Sequence, residues 1–268
     1  MINYIRICNN DARKGFDMKA GLLDVKIYAT RDEMGAAAAK KAGNILRRVL
    51  AEKEEANVIF AAAPSQNETL AHLVEERGID WTRVNAFHMD EYVGLPFGHP
   101  ARFSQYLAEH IFDLVPFRRV FRLGEGNGTP EEECRRYEEL LKEYPTDLVC
   151  LGIGENGHIA FNDPGVADFR DPVLVKLAAL DGVCRQQQVN DGCFPTIDDV
   201  PTHALTLTIP ALVGAKHLVC TVPGKTKTAA VTETVLGRRI SEDCPATILR
   251  RHPSATLYCD SDSAAGIL

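Results

Sequence analysis

The amino-acid sequence predicts a three-layer α/β fold, in which helices cover both faces of a mostly parallel central sheet. Short apolar runs alternate along the chain with longer stretches that have helical spacing. The apolar runs are continuous and do not alternate with polar residues, which is typical of strands buried on both faces. Hydrophobic residues make up 45% and charged residues 25% of the 268 positions, so the chain can bury a large core.

The predicted helices and strands follow one another along the chain. Residues 31–54 are rich in Ala, Lys, Glu and Leu at helical spacing, and Asp32 and Glu33 suit the positive end of a helix dipole. The other predicted helices are 68–78, ending at Gly78, 131–144, and 225–237, ending at Gly237. The predicted strands are 56–63, the beginning of 83–92, 147–154, 203–209, 217–224 and 255–260. We see no linker, repeat or low-complexity stretch, and we expect a single domain spanning residues 1–268.

Charge and composition exclude several classes of partner. The net charge of −7 argues against nucleic-acid binding, which needs a basic face. No run reaches the roughly 18 apolar residues of a membrane helix, and residues 1–16 lack the apolar core of an export signal. The eight cysteines form no CxxC pair, and Cys150, Cys220 and Cys259 fall inside apolar runs. We therefore expect a cytoplasmic protein with reduced thiols.

Four polar loops follow four of the predicted strands. They are PSQNET (64–69), DEYVGLP (90–96), GENGHIAFNDPG (154–165) and PGKTKT (223–228). Ligands of open α/β sheets bind at the carboxyl ends of the strands. We therefore expect these loops to converge on one site.

Two of these loops, 64–69 and 223–228, open predicted helices and suit an anion. Backbone N–H groups at a helix start bind phosphate, and Lys227 adds a positive charge. These features favour a phosphorylated small molecule. Lys and Thr are also common at a helix start that faces only solvent, so this second interpretation stays open for 223–228.

The loop 154–165 argues against a nucleotide site and against a metal site. Its glycines match G-x-G-x-x-G, but a turn at residues 162–165 follows where a dinucleotide site needs a helix. His158 and Asp163 offer metal ligands, yet the chain has no HxH or HxxxH pair to complete a metal centre. We therefore expect no metal and no dinucleotide at this loop.

An acid–base site is the interpretation that this loop supports best. Histidine side chains in general can both give and take a proton near neutral pH. Asn156 and Asp163 flank His158 and could fix its tautomer. Asp90 follows a neighbouring predicted strand and adds a second carboxylate. The alternative role for Asp90 is to cap a helix or to form an Asx-turn. Two such centres suit a reaction with two proton transfers.

Two longer motifs resemble one known family. HMDEYVGLPFGHPARFS (88–104) and LGIGENGHIAFNDPG (151–165) closely resemble the glucosamine-6-phosphate deaminase (isomerase) family, whose pattern reads MDEYVGL and then G-x-G-x-[ND]-G-H-I-[AG]-F-N-E-P-G. Similar order and spacing extend from about residue 58 to residue 259. The resemblance implies a Rossmann-like α/β fold, no cofactor, and conversion of glucosamine 6-phosphate and water to fructose 6-phosphate and ammonia.

The resemblance also implies roles for individual residues. Asp90 is the expected base that moves a proton between C2 and C1 of the opened sugar, and His158 is the group that opens the pyranose ring. Asn156 and Asp163 are expected to orient the histidine. The expected substrate contacts are Lys227 on the phosphate, the loop residues Ser65, Gln66 and Asn67 around it, and Glu91 and Gly157 from the two motifs.

Four positions depart from the family pattern. Asp163 is one methylene shorter than the family's Glu, which bears on its reach to the histidine, and Asn156 stands where many members have Asp. The loop 64–69 has no glycine, whereas the family phosphate loop is rich in Thr and Gly. Gln188 aligns near the family's phosphate-binding arginine. Arg185, about one helical turn earlier, is the expected replacement.

Three alternatives to glucosamine 6-phosphate deamination remain. Galactosamine 6-phosphate or another sugar phosphate is a neighbouring substrate. A non-catalytic sugar-phosphate sensor on the same fold belongs to another class, but such regulators usually carry a helix-turn-helix, and only about 30 residues precede the domain here. A sugar-phosphate lactonase is expected to carry a GHTASLFP-type run in place of GHIAFN. The expected binding partner is thus a small sugar phosphate, and the sequence leaves open whether the protein forms a homo-oligomer.

Overall fold

A computed structural model describes residues 16–126, 128–190 and 192–268 of the protein. Cys8 and most of the N-terminal stretch in which we predicted no export signal lie outside these ranges. The strands are β1 Phe16–Ala20, β2 Leu23–Tyr28, β3 Ala56–Phe60, β4 Val84–His88, β5 Asp90–Tyr92, β6 Arg119–Phe121, β7 Leu148–Leu151, β8 Val175–Ala179, β9 His203–Leu207, β10 His217–Val222 and β11 Ala255–Asp260. The α-helices are α1 Arg31–Glu52, α2 Asn67–Glu75, α3 Phe103–Leu107, α4 Pro130–Glu143, α5 Gly182–Asn190, α6 Ile209–Val213 and α7 Thr228–Leu236.

The central sheet has eight strands in the order β1-β2-β11-β10-β7-β3-β4-β6. All neighbouring pairs are parallel except β1 and β2, which form an antiparallel hairpin at one edge. Strand β7 shows how the sheet separates two cores, because Val149 and Leu151 face one core and Leu148 and Cys150 face the other. Helices α1 and α2 cover the second core, and α4 and α7 cover the first. The predicted mostly parallel sheet with helices on both faces is confirmed.

Helix boundaries depart from the sequence pattern in two places. Helix α2 was expected to end at Gly78 but ends at Glu75, and Gly78 lies beyond it with φ +78°. The helix expected from residue 225 starts as a 3₁₀ turn, Lys225–Lys227, before α7 begins at Thr228. A similar 3₁₀ turn, Pro64–Gln66, precedes α2. Within the described ranges, no helix has the length and apolar character needed to cross a membrane.

A second sheet, which the sequence pattern did not predict, consists of three antiparallel strands in the order β5-β9-β8. Its register places Asp90 directly opposite Thr206. The hydroxyl of Thr206 accepts a hydrogen bond of 3.0 Å from the backbone N–H of Phe161, in the glycine-rich loop. The side-chain amide of Asn162 donates to the carbonyl oxygen of Leu207 at 2.8 Å. This small sheet therefore fixes the position of the loop after β4 relative to the loop after β7.

Candidate active site

A cleft of about 270 Å³ lies at the carboxyl ends of β3, β4, β7 and β10. Its lining includes residues from all four predicted loops, which the structure brings together at this edge: Ser65, Asp90, His158, Lys225 and Lys227. The volume suits a small molecule. Acid–base groups come from the second and third loops, whereas the first and fourth loops supply a hydroxyl and ammonium groups.

Asp90 opens β5 and is buried at the cleft wall. Burial raises the pKa of its carboxyl well above the ordinary range, and the negative charge of the neighbouring Glu91 raises it further. The backbone carbonyl of Asp90 lies 2.9 Å from Nδ1 of the buried His88, whose Nε2 accepts a 2.8 Å hydrogen bond from the N–H of Leu123. Nδ1 therefore carries the proton, and burial lowers the pKa of His88. A neutral histidine thus fixes the backbone of Asp90.

His158 lies beside Asp163, whose shorter carboxylate does reach it. Nδ1 of His158 and Oδ1 of Asp163 are 2.9 Å apart, although the ring N–H is not aligned with the oxygen as a hydrogen bond. Burial acts to raise the pKa of Asp163, but the adjacent His158 ring and the amide of Asn156 outweigh it, so the pKa lies below its ordinary value.

Asn156 forms hydrogen bonds with both Asp163 and His158. Its side-chain amide donates to Oδ1 of Asp163 at 2.9 Å, and its side-chain oxygen accepts the backbone N–H of His158 at 3.0 Å. The three predicted residues of the glycine-rich loop therefore form one bonded group. With Nδ1 directed to Asp163, Nε2 is the nitrogen of His158 that can exchange a proton with a ligand.

Two glycines make this geometry of the loop feasible. A Cβ atom at Gly154 would lie 2.1 to 2.4 Å from the ring atoms of His158, so only glycine lets the imidazole lie against the chain there. Gly157 adopts φ +88°, and a Cβ atom there would lie 2.5 Å from Sγ of Cys244. Gly157 was a predicted substrate contact, but it lies outside the cleft lining and serves the turn instead.

Fewer side chains than expected line the cleft at the end where 64–69 and 223–228 predicted an anion site. Ser65 and the buried Lys227 line the cleft. Gln66 instead points inward, where its amide oxygen accepts the hydroxyl of Thr221 at 2.9 Å and its amide nitrogen donates to the carbonyl oxygen of Thr221 at 3.3 Å. Asn67 is exposed and accepts a hydrogen bond from the Tyr106 hydroxyl. Gln66 and Asn67 are therefore not placed to cradle an anion with their side chains.

Arg185, the expected replacement for a phosphate-binding arginine, points away from the cleft. Its guanidinium donates to the carbonyl oxygens of Val200 at 3.0 and 3.3 Å and also to that of Ile197. It shares helix α5 with Gln188, which does line the cleft. Arg185 and Gln188 are three residues apart on this helix, close to one turn. Their side chains still differ in direction by about 60°, because one turn takes 3.6 residues. In this structure Arg185 therefore lies outside the cleft lining, contrary to the position expected for a substrate contact.

Glu91 is likewise placed outside the cleft lining, although it follows Asp90 directly. Successive residues of a strand point to opposite faces, and the carboxylate of Glu91 is fully buried on the far side. It accepts hydrogen bonds from Arg102 Nε at 3.2 Å, from the N–H of Phe103 at 3.1 Å, and from the N–H and hydroxyl of Ser104 at 3.0 and 2.7 Å. Glu91 thus holds α3 against β5.

Arg31, at the start of α1, lines the cleft and was not identified from the sequence. Nothing in the local pattern distinguishes it from the other basic residues of that helix. Its position depends on β2 and β3 ending at the same edge of the sheet. A second unidentified residue is Cys184, which is buried beside Asp163.

His158, Asp163 and Cys184 present nitrogen, oxygen and sulfur atoms within 4.8 Å of one another. Such a set could contribute to a Zn²⁺ site. The 2.9 Å between Nδ1 and Oδ1 is shorter than the roughly 3.3 Å that tetrahedral Zn–N and Zn–O bonds impose on two ligand atoms. Burial also raises the pKa of the Cys184 thiol strongly, which disfavours the thiolate that binds metal. The geometry fits a direct contact between His158 and Asp163 better than a metal bridge.

Comparison with known proteins places the chain in a family. The model for the family described as glucosamine-6-phosphate isomerases/6-phosphogluconolactonase matches residues 29–258. This chain belongs to that family. The glucosamine-6-phosphate deaminase of Bacillus cereus (strain B4264) is 34% identical over 242 residues, which cover 90% of this chain and 88% of that protein. The deaminase of Bacillus anthracis (strain CDC 684 / NRRL 3495) has the same identity and coverage.

Solved structures of the glucosamine-6-phosphate isomerase/6-phosphogluconolactonase family agree with this placement. A monomeric glucosamine-6-phosphate deaminase, described as a missing link of the NagB superfamily, superposes with a TM-score of 0.82 at 30% identity, covering 93% of this chain and all of that one. A 6-phosphogluconolactonase from Thermotoga maritima has a TM-score of 0.70 at 20% identity, covering 88% of this chain and 99% of that one, and shows the fold alone. The chain is an enzyme of this family, with a Rossmann-like α/β fold.

Proposed function

We propose that the protein is an amino-sugar phosphate deaminase/isomerase that converts glucosamine 6-phosphate and water to fructose 6-phosphate and ammonia. The observation that carries this proposal is the pairing, in one cleft, of a buried carboxylate with raised pKa and a histidine–carboxylate group. Two separate proton-transfer centres suit a reaction that both opens a ring and shifts a proton along the carbon chain. The sequence similarity to glucosamine-6-phosphate deaminases supports the same reaction.

In this proposal His158 acts first, by transferring a proton at the ring oxygen so that the pyranose opens. Oδ1 of Asp163 lies 2.9 Å from Nδ1, and Asn156 donates a hydrogen bond to Asp163, so Nε2 is the ring nitrogen left to face the sugar. The lowered pKa of Asp163 keeps its carboxylate charged beside the imidazole. The carboxylate therefore lies where it can hold the orientation of the ring during proton transfer.

Asp90 then acts as the base that removes the proton from C2 and returns it at C1. Its raised pKa makes the carboxylate a stronger base than an exposed aspartate, which favours proton abstraction from carbon. The shift gives a carbon–nitrogen double bond at C2, and water adds there to release ammonia and leave the ketose phosphate. Lys227 and Ser65 contact the phosphate and set the distance between C2 and Asp90.

The test is ammonia release from a panel of sugars. Glucosamine 6-phosphate, galactosamine 6-phosphate and unphosphorylated glucosamine are compared under the same conditions. We expect release from glucosamine 6-phosphate, much less from the other two, and loss of release in Asp90→Asn. The matched control Asp198→Asn changes an exposed aspartate and should behave as wild type. If no amino-sugar phosphate yields ammonia, the proposal is wrong; preference for galactosamine 6-phosphate would reassign the substrate.

Two further measurements separate the roles of individual residues. Exchange of the C2 proton with solvent should stop in Asp90→Asn, and continued exchange would remove Asp90 from the proposed role. Lys227→Ala should raise KM for the phosphorylated substrate, because a charged partner of the phosphate is lost. An unchanged KM would place the phosphate elsewhere in the cleft.

We also propose that the enzyme works in the cytoplasm. The seven cysteines of the described ranges form no disulfide among themselves, and six of them are buried in the interior. Reduced, buried thiols are typical of proteins in a reducing compartment.

A further inference from the structure

The cleft contains a third cationic side chain beside Lys225 and Lys227. Arg31 reaches the cleft from the first turn of α1, and its side chain is 42% exposed, so it is accessible to a ligand. One of its terminal nitrogens, Nη2, donates to the carbonyl oxygen of Pro64 at 2.9 Å. The guanidinium therefore lies directly beside the loop that carries Ser65.

The orientation of Arg31 is fixed by Glu68, in the first turn of α2. Nε donates to Oε1 of Glu68 at 2.9 Å, and Nη2 donates to Oε2 at 3.1 Å. This bidentate pair holds the plane of the guanidinium and removes most of its rotational freedom before a ligand arrives. Among the hydrogen bonds of the described residues, none uses Nη1 of Arg31. Its two N–H groups are available to a ligand.

The close approach of α1 and α2 at this point depends on Gly35. A Cβ atom at Gly35 would lie 2.5 Å from Cβ of Glu68 and 2.8 Å from its carbonyl carbon. Gly35 follows Arg31 by one helical turn, so both lie on the same face of α1. The glycine allows the helices to contact, and the contact brings the carboxylate of Glu68 to the guanidinium.

We propose that Arg31 is a phosphate-binding residue of this enzyme and, with Lys227, determines its preference for phosphorylated sugars. The inference rests on the proposed function, because it assigns a group to the phosphate end of the same cleft. A guanidinium held by a carboxylate on one side presents its remaining N–H groups to a second oxyanion on the other. The planar fork of a guanidinium matches the oxygens of a phosphate group, which a lysine ammonium does not.

The test measures binding without turnover. Calorimetric titrations with inorganic phosphate and with fructose 6-phosphate, in the absence of ammonium, are compared with fructose. We expect Arg31→Ala to weaken binding of both phosphorylated ligands about 10- to 100-fold, the range for loss of one charged hydrogen-bonding partner. The matched control Arg48→Ala removes an exposed arginine of the same helix and should leave binding unchanged.

Glu68→Gln distinguishes a phosphate contact from a purely structural ion pair. If Arg31 binds phosphate, Glu68→Gln should weaken binding much less than Arg31→Ala, because it loosens the guanidinium but also removes a negative charge beside the anion. The double variant Arg31→Ala with Glu68→Ala should recover part of the loss seen in Arg31→Ala alone. If Arg31 only links α1 to α2, Arg31→Ala and Glu68→Gln should weaken binding equally, and that result overturns the inference.

The two proposals fail separately. Absence of ammonia release by the wild type overturns the proposed reaction but leaves the binding comparison intact. Unchanged phosphate binding in Arg31→Ala, in an enzyme that does release ammonia, overturns only the role of Arg31. Thermal denaturation of each variant shows whether the fold is retained, and Arg31→Lys, which keeps the charge but loses the bidentate fork, should fall between wild type and Arg31→Ala.

Discussion

Replacement of Glu91 should damage stability far more than substrate binding. Its carboxylate is fully buried, and its partner Arg102 has only 5% of its side chain exposed. Glu91→Ala leaves this guanidinium without its counter-charge and leaves the N–H groups of Phe103 and Ser104 without their acceptor. Breaking a buried ion pair on one side costs about 3–5 kcal/mol. For a chain of this size, that loss corresponds to a fall in Tm of about 10 °C.

The same residue should also influence the pH dependence of activity. The charge of Glu91 contributes to the raised pKa of Asp90. Glu91→Gln keeps the size of the side chain and removes the charge, so the pKa of Asp90 should fall. Because the proposed mechanism uses Asp90 in its deprotonated form, the acidic limb of kcat/KM should move to lower pH, while KM at the optimum stays unchanged.

Thermal denaturation and a pH profile of kcat/KM together test this reasoning. Glu139→Gln, on the exposed side of α4, serves as the control and should change neither quantity. A Glu91→Ala variant with wild-type Tm but a KM raised tenfold or more would refute the structural role and return Glu91 to the substrate contacts.

Three further predictions concern the cleft and its support. Asp90→Asn should raise Tm at alkaline pH, because the wild type, with a raised pKa, loses stability as pH rises from the ordinary aspartate pKa through the folded-state value; equal Tm values would contradict this. Asp163→Asn should lower kcat about 100-fold, because the imidazole of His158 loses the carboxylate beside it. The lowered pKa of Asp163 stabilises the wild type above the ordinary aspartate pKa, and this stabilisation is lost as pH falls through the lowered pKa; the variant should lack it. An unchanged kcat would show that Asp163 does not orient His158. Gly35→Ala should destabilise the fold by about 1–3 kcal/mol, because the added methyl group overlaps Glu68. It should also weaken phosphate binding, measured by calorimetry. A wild-type affinity would show that Gly35 has no influence on the phosphate site.

Several features of the fold were readable in the sequence because they depend on local periodicity. The run 255–260 became β11 with the predicted boundaries, and 31–54 became α1 with a two-residue difference. Continuous apolar strands between helices imply burial on both faces, and that implies a parallel sheet with its ligand site at the carboxyl ends. The extent of a single domain over residues 1–268 stays a prediction.

Other features depend on pairing between distant segments, which local pattern does not encode. β5 has three residues and gains its place only by pairing with β9. The direction of a side chain also depends on the strand or helix in which it sits. Glu91 points away from the cleft because β5 turns alternate residues to opposite faces, and Arg185 points to the loop carbonyls of Ile197 and Val200.

The sequence by itself located the candidate site: Asp90, His158, Asn156 and Asp163 stand in short motifs at the ends of predicted strands, where polar groups cluster. Only the tertiary structure decided that the short carboxylate of Asp163 lies 2.9 Å from the imidazole. It alone also placed Arg31 in the cleft, since that position arises where α1 and α2, 36 residues apart at their starts, meet across Gly35. A local motif shows which polar groups follow a strand, whereas the packing of separate helices and strands decides which side chains line the cleft.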